Sequence, residues 1–136
     1  MPIESMRPPS RLLALRAALC FSAAAVLVLG LLGGGATPLA VGLVPAPWDK
    51  LAHLATYATL GLLLAAGFSG RRPLLAGSLA FAIGVVDEAM QAFHPGRHAD
   101  LADLAADAAG ILLAVAVLRL LWGRRGPAAS RPRCRP

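Results

Sequence analysis

The chain has 136 residues, and 57% of them are hydrophobic before its 14 glycines are counted. Soluble domains average about 45–50% apolar residues with glycine included, so the composition excludes a water-soluble domain and the length excludes a multidomain enzyme. Thirteen Lys and Arg against seven Asp and Glu give a net charge of +6. The basic residues are spread over both termini and one short loop without interleaved aromatic residues. This pattern indicates membrane topology and lipid headgroup contact, not nucleic-acid binding.

The first apolar segment runs from about Leu12 or Ala17 to Leu32, and no charged residue occurs between Ala17 and Trp48. A basic start followed by an apolar run is also typical of a cleaved signal peptide. The run is long for a signal peptide and no soluble domain follows it, so we expect a retained transmembrane helix. A loop rich in Gly and Pro, residues 33–47, comes next.

The second helix is expected from Leu51 to Gly70, a length that matches a full span. The third segment starts at the Arg71-Arg72-Pro73 turn and has only 14 uncharged residues before Asp87. That is about 21 Å of helix, against a hydrocarbon core of about 30 Å. Either Asp87 and Glu88 are drawn into the bundle or the segment is re-entrant. Because the helical pattern continues to Phe93, we expect the first arrangement.

The fourth helix is expected from about Ala99 to Trp122, and the Pro, Ala and Arg residues beyond Arg124 predict a disordered tail. The predicted fold class is therefore all-α: a polytopic membrane protein with four transmembrane helices in a small bundle. Its predicted parts are a basic cytoplasmic N-terminus (1–16), a four-helix membrane domain (17–122) and a disordered basic cytoplasmic tail (123–136).

The sorting of charge predicts the orientation of the chain in the inner (cytoplasmic) membrane. With both termini in the cytoplasm and four crossings, 11 of the 13 basic residues lie inside. They are Arg7, Arg11, Arg16, Arg71, Arg72, Arg119, Arg124, Arg125, Arg131, Arg133 and Arg135. The same threading places six of the seven acidic residues outside. The positive-inside rule is then met by every loop.

Polar residues follow one face of three predicted helices, and all lie toward the outer surface. The second helix carries three of them spaced four apart, and the third carries an acidic pair with a glutamine one turn after its aspartate. The fourth carries three aspartates in one arc that includes Gly110. Together with cations of the neighbouring loops, they form the predicted pocket: Asp49, Lys50, His53, Tyr57, Asp87, Glu88, Gln91, Arg97, Asp100, Asp103 and Asp107.

Asp107 is the main evidence for a shared pocket. It lies two turns inside a helix of Ala and Leu, where an ionisable group is costly unless it is paired or faces a wet cavity. His53 and Tyr57, on the second helix, also need a polar partner or a wet cavity. The alternative is that these residues mark helix ends in the headgroup zone and form one structural hydrogen-bond network. We expect a functional pocket.

Two runs, Asp49-Lys50-Leu51-Ala52-His53 with Tyr57 and Asp87 to Phe93 with Pro95-Gly96-Arg97, precede the spaced aspartates of the fourth helix. In order and spacing these motifs resemble the VanZ-like family of bacterial membrane proteins. The resemblance covers Trp48 to about Leu121. The family commonly has serine where Asp87 stands and asparagine where Asp107 stands, so this chain is more acidic at both positions. The resemblance implies a link to low-level resistance to the glycopeptide antibiotic teicoplanin and assigns no chemistry.

The chemistry of the pocket is constrained by what the sequence lacks. No serine or cysteine belongs to the acidic cluster, and no P-loop, His-Glu-x-x-His or Cys-x-x-Cys motif is present. Carboxylates with imidazoles suit divalent metals, but Lys50 and Arg97 neutralise some of these carboxylates, so we predict neither a metal nor another cofactor. Ion transport is not expected, because the cytoplasmic half of the bundle offers no continuing polar path.

The sequence therefore predicts an integral membrane protein with an outward-facing acidic and histidine pocket that binds an envelope or glycopeptide-related ligand. Its expected partners are the lipid bilayer and a lipid-linked or cell-wall ligand, without nucleic acid. The alternative is a membrane-embedded enzyme that acts on a lipid-linked or cell-envelope substrate through Asp and His acid–base chemistry.

Overall fold

The computed structural model describes residues 10–35, 37, 43–95 and 99–123. Within these residues the chain forms four helices and no strand, which confirms the all-α prediction. The helices are α1 (Ser10–Gly35), α2 (Trp48–Gly67), α3 (Pro73–Gln91) and α4 (Leu101–Gly123). The predicted tail beyond Arg124 and the candidate site residue Arg97 lie outside the described residues.

Three helices, α1, α3 and α4, are long and apolar enough to cross a membrane. α2 is less apolar because its first half carries charged and polar side chains, although its 20 residues correspond to about 30 Å of helix. Large apolar side chains cover the outside of the bundle; Val26 and Leu29, for example, are 70% and 72% exposed. Such a surface suits lipid and not water. The chain is a polytopic membrane bundle.

α1 is longer than predicted at both ends. It begins at Ser10, inside the segment assigned to the N-terminal region, and it continues through Gly33 to Gly35, where the sequence predicted a loop. The loop prediction is wrong at these glycines. A continuous helix pairs each amide with a carbonyl one turn back, which apolar surroundings require and which glycine permits.

α2 begins and ends about three residues before its predicted bounds, at Trp48 and Gly67. Ser69 and Gly70 adopt the left-handed backbone region, with φ of 53° and 68°. In that turn the Gly70 amide donates to the carbonyl of Ala65 at 2.8 Å, which ends the helix with its carbonyls satisfied.

α3 is one continuous helix of 19 residues, about 28 Å long. It runs through Asp87 and Glu88 without a break, and both residues are buried in the bundle. The structure therefore confirms that Asp87 and Glu88 are drawn into the bundle, and α3 is not a re-entrant segment. α3 ends at Gln91, two residues before the predicted end at Phe93.

α2 is the centre of the bundle and contacts the other three helices, with its most extensive interface against α4. The interface is close because small residues face each other: Gly61 lies against Ala114, and Gly110 lies against the backbone of Leu54 and Ala58. This packing brings the N-terminal halves of α2 and α4 together at one end of the bundle. α3 brings its C-terminal part to the same end, which is called the polar end below.

Candidate functional site

Ten of the eleven predicted site residues lie at the polar end, and the eleventh, Arg97, is outside the described residues. α2 supplies four of them, α3 supplies three, and α4 with the residue before it supplies three. Contacts between side chains divide nine of the ten into an outer cluster around Lys50, an inner pair of His53 with Asp107, and a buried network around Asp87. The tenth, Glu88, accepts from the backbone amide of Asp100. The sequence predicted that these residues converge, but it did not predict how they divide into groups.

Lys50 is the hub of the outer cluster. Its Nζ lies 2.7 Å from Asp100 Oδ2, 2.7 Å from Asp103 Oδ1 and 3.1 Å from Asp49 Oδ2. The Lys50 ammonium holds the pKa of the neighbouring Asp100 carboxyl below its usual range. Since Lys50 is on α2, and its partners Asp100 and Asp103 lie just before α4 and in its first turn, the cluster joins these two helices at the end of the bundle.

Asp100 stands before α4 instead of in its first turn, because the helix begins at Leu101. Its Oδ1 accepts from the Ala102 amide at 2.8 Å, and its carbonyl accepts from the amides of Asp103 and Leu104. This is the arrangement of a helix N-cap. The Asp100 amide donates to Glu88 Oε2 at 2.9 Å, so the cap also links α4 to α3.

The inner pair joins α2 and α4 at greater depth. His53 Nδ1 donates to Asp107 Oδ1 at 2.9 Å, and the side chains are 12% and 0% exposed. The His53 ring lies nearly parallel to that of Tyr57, with ring centroids 6.3 Å apart. The depth that the sequence predicted for Asp107 is therefore matched by a polar partner on the neighbouring helix.

The buried network around Asp87 joins α2 and α3. Asp87 Oδ2 accepts from Gln91 Nε2 at 3.2 Å and from the hydroxyl of Tyr57 at 3.5 Å. Asp87, Gln91 and Tyr57 are 3%, 5% and 0% exposed. Because the bond from Tyr57 is long, Gln91 one turn along the same helix is the better placed of the two donors.

Two carboxylate oxygens in the inner part of the site stand out. Among the residues that the structure describes, neither Glu88 Oε1 nor Asp107 Oδ2 has a hydrogen-bond partner, and both are buried. Gly84 on α3 lies beside the second of these oxygens: a Cβ at this position would be 2.9 Å from Asp107 Oδ2. The glycine thus makes room for the carboxylate between α3 and α4. Sequence reasoning missed Gly84, because an isolated glycine in an apolar helix has no chemical signature.

A cavity of about 500 Å³ lies between the C-terminal end of α1 and the N-terminal half of α2. Three glycines and Leu31 of α1, Thr37 and the segment 43–44 form most of its wall, and Asp49, Ala52 and His53 line its α2 side. The cavity therefore gives access to the inner pair through His53. Sequence reasoning missed the contribution of α1, whose residues carry no polar pattern.

The arrangement supports two kinds of chemistry. A histidine held by a buried carboxylate is oriented for proton transfer, because the carboxylate fixes the tautomer and the ring position. An acidic site that also has an apolar wall suits recognition of an amphiphilic molecule with a cationic or hydrogen-bond-donating group.

A family model described as VanZ/LLP1 matches residues 13–122 of the chain. The matched range contains α2 and α3 completely and nearly all of α1 and α4. No curated protein and no solved structure matches the chain.

Proposed function

The chain belongs to the VanZ/LLP1 family, and on this premise we propose that its polar end binds a ligand of the cell envelope, with a glycopeptide-related molecule as the first candidate. The observation that carries the proposal is the cavity between α1 and α2, which joins an apolar wall to Asp49 and His53. An amphiphilic molecule can place its apolar part against α1 and a polar group against α2. A glycopeptide is the first candidate ligand because the family is linked to teicoplanin resistance.

Charge favours one kind of polar group on the ligand. Lys50 is shared by three carboxylates, and His53 is paired with Asp107. A phosphate placed beside Asp49 would meet like charge, whereas an amine, amide or hydroxyl can donate to the carboxylates. We therefore assign the α2 side of the cavity to the sugar or peptide part of an envelope molecule.

Binding of fluorescently labelled teicoplanin to the protein in lipid nanodiscs tests the proposal. His53→Ala should weaken binding by at least about tenfold, since a hydrogen-bonding group in a buried site contributes about 1.5 kcal/mol or more. His94→Ala is the matched control, because His94 donates to the Met90 carbonyl and is outside the cavity lining. No binding by the wild-type protein, or an equal loss in both variants, would contradict the proposal. The same variants with a lipid-linked cell-wall precursor distinguish the two ligand sources.

The location of the site is also proposed: the polar end on the outer side of the inner membrane, with both termini in the cytoplasm. The concentration of basic residues in the opposite loops and termini supports this orientation. Alkaline phosphatase fusions after Ala40 and Gly96 should be active, and fusions after Arg72 and Arg125 should be inactive. An active fusion after Arg72 would refute the threading.

A membrane-embedded enzyme is the second candidate function, and the contact of 2.9 Å between His53 and Asp107 favours it. In that case His53 is the general base or acid, and Asp107 orients its ring. Lipid and muropeptide profiles of a deletion strain separate the two functions. A changed product pattern that is restored by the wild-type gene and not by His53→Ala indicates an enzyme. Unchanged chemistry with altered glycopeptide tolerance indicates a binding protein.

A further inference from the structure

Three side chains from three different helices meet in the inner part of the site: His53 of α2, Glu88 of α3 and Asp107 of α4. One ligand atom from each lies within 4.8 Å of the other two. At that separation a cation equidistant from all three would be about 2.8 Å from each, against about 2.0–2.2 Å for zinc bonded to nitrogen or oxygen. Side-chain shifts of under about 1 Å would therefore form the bonds.

The two carboxylates of this group are only partly satisfied by the described residues around them: Asp107 Oδ1 contacts His53, and Glu88 Oε2 accepts from the Asp100 amide. Glu88 is 6% exposed and Asp107 is 0% exposed, and each has a buried carboxylate oxygen without a partner there, Glu88 Oε1 and Asp107 Oδ2. Lys50 contacts the outer carboxylates Asp49, Asp100 and Asp103 instead. A buried carboxylate oxygen without a partner is unfavourable, and more so inside a membrane. A cation between the two oxygens would remove that penalty.

We propose that His53, Glu88 and Asp107 form a binding site for a divalent transition-metal ion of the Zn²⁺ class. One imidazole with two carboxylates is a donor set that Zn²⁺ accepts, whereas Mg²⁺ and Ca²⁺ prefer oxygen ligands alone. The sequence predicted no metal because Lys50 and Arg97 were expected to neutralise the carboxylates. Lys50 pairs with the outer cluster and not with the inner group, and Arg97 lies outside the described residues.

The surroundings of the three residues fit an open metal site. Zn²⁺ would replace the proton between His53 Nδ1 and Asp107 Oδ1, which lie 2.9 Å apart, so that both atoms turn a lone pair to the ion and the proton is released to solvent. His53 borders the cavity of about 500 Å³, and Glu88 borders a second cavity of about 80 Å³ beside Asp100. Movement of the His53 or Glu88 side chain would let water from these cavities reach the remaining coordination positions.

The test is zinc titration of the purified full-length protein in detergent after treatment with a chelator, without any envelope ligand. We expect one Zn²⁺ per chain and a thermal transition that shifts upward on binding. Glu88→Gln and Asp107→Asn should each lower the zinc affinity by about 100-fold or more. Asp100→Asn is the matched control and should stay within about threefold of wild type, because the bond to Glu88 comes from the backbone amide of residue 100.

Two results would overturn the proposal: a wild-type protein that binds no zinc, or an equal loss of affinity in the variants of Asp100 and Asp107. In either case the inner carboxylates are neutralised in another way. X-ray absorption spectra of the zinc-loaded wild-type protein keep the test decisive if a variant fails to fold. The expected first shell contains nitrogen and oxygen at about 2.0–2.2 Å with one imidazole, and a shell without imidazole would contradict the assignment. Failure here leaves teicoplanin binding unaffected, so the two proposals are tested separately.

Discussion

Gly110 determines how closely α4 approaches α2, and Gly110→Ala tests this packing. A Cβ at this position would overlap the carbonyl oxygen of Leu54 and lie 2.9 Å from the backbone nitrogen of Ala58. Helix backbone atoms cannot rotate away, so the two helices must separate by roughly 1 Å, and a gap of this size forfeits a quarter to a half of the dispersion energy of the affected contacts. Overpacking of this kind costs about 1–3 kcal/mol. We expect about 3 kcal/mol, because both obstructing groups are backbone.

The assay is thermal unfolding in detergent micelles, followed by circular dichroism. Gly110→Ala should lower the Tm by roughly 10 °C. Gly33→Ala is the matched control, since a Cβ at position 33 meets no atom within 4 Å, and its Tm should be equal to or above that of wild type. A Gly110→Ala protein as stable as the control would show that α2 and α4 are not packed backbone to backbone at this point.

Two further predictions concern the polar residues. Tyr57→Phe should lower the free energy of unfolding by at most about 1 kcal/mol, because the hydrogen bond from Tyr57 to Asp87 is 3.5 Å long. Tyr57→Ala should lower it by about 3–5 kcal/mol, because the whole buried ring is lost. Similar Tm losses in the two variants would contradict this prediction. Lys50 depresses the pKa of Asp100 from its ordinary 3.8, so this pair stabilises the bundle fully above about pH 4 and is lost as pH falls through the lowered pKa. The acid limb of Tm against pH should be shallower in Asp100→Asn, and an unchanged limb would count against the pair.

The positions of the polar residues along the helices were predictable from the sequence. Asp49, His53 and Tyr57 recur at intervals of four, and charged groups inside an apolar helix must find polar partners. The structure pairs His53 with Asp107 as this requirement predicts. Which carboxylates Lys50 contacts was not predictable, because that choice depends on where α4 begins. The start at Leu101 leaves Asp100 as a cap within reach of Lys50.

Features that depend on close packing between helices were not predictable. Gly84 lies beside Asp107 only because α3 and α4 meet at that height. The end of α1 lines the cavity through three glycines and Leu31, which look the same as lipid-facing residues in the sequence. Glycine is typical of turns in water, so the sequence predicts a loop at Gly33 to Gly35. Within an apolar environment the backbone stays helical to satisfy its own hydrogen bonds.

The central claim is that His53 and Asp107 act as one unit in a ligand-binding site. A double-mutant cycle of His53→Ala and Asp107→Ala in lipid nanodiscs, with teicoplanin affinity as the readout and protein abundance as the control, tests it most directly. Each single variant should lose roughly 30-fold in affinity at normal abundance, and the double variant should be within about threefold of either single, because partners in one unit are not additive. A double variant that loses the product of the two effects, or single variants that bind as well as wild type, would contradict the claim.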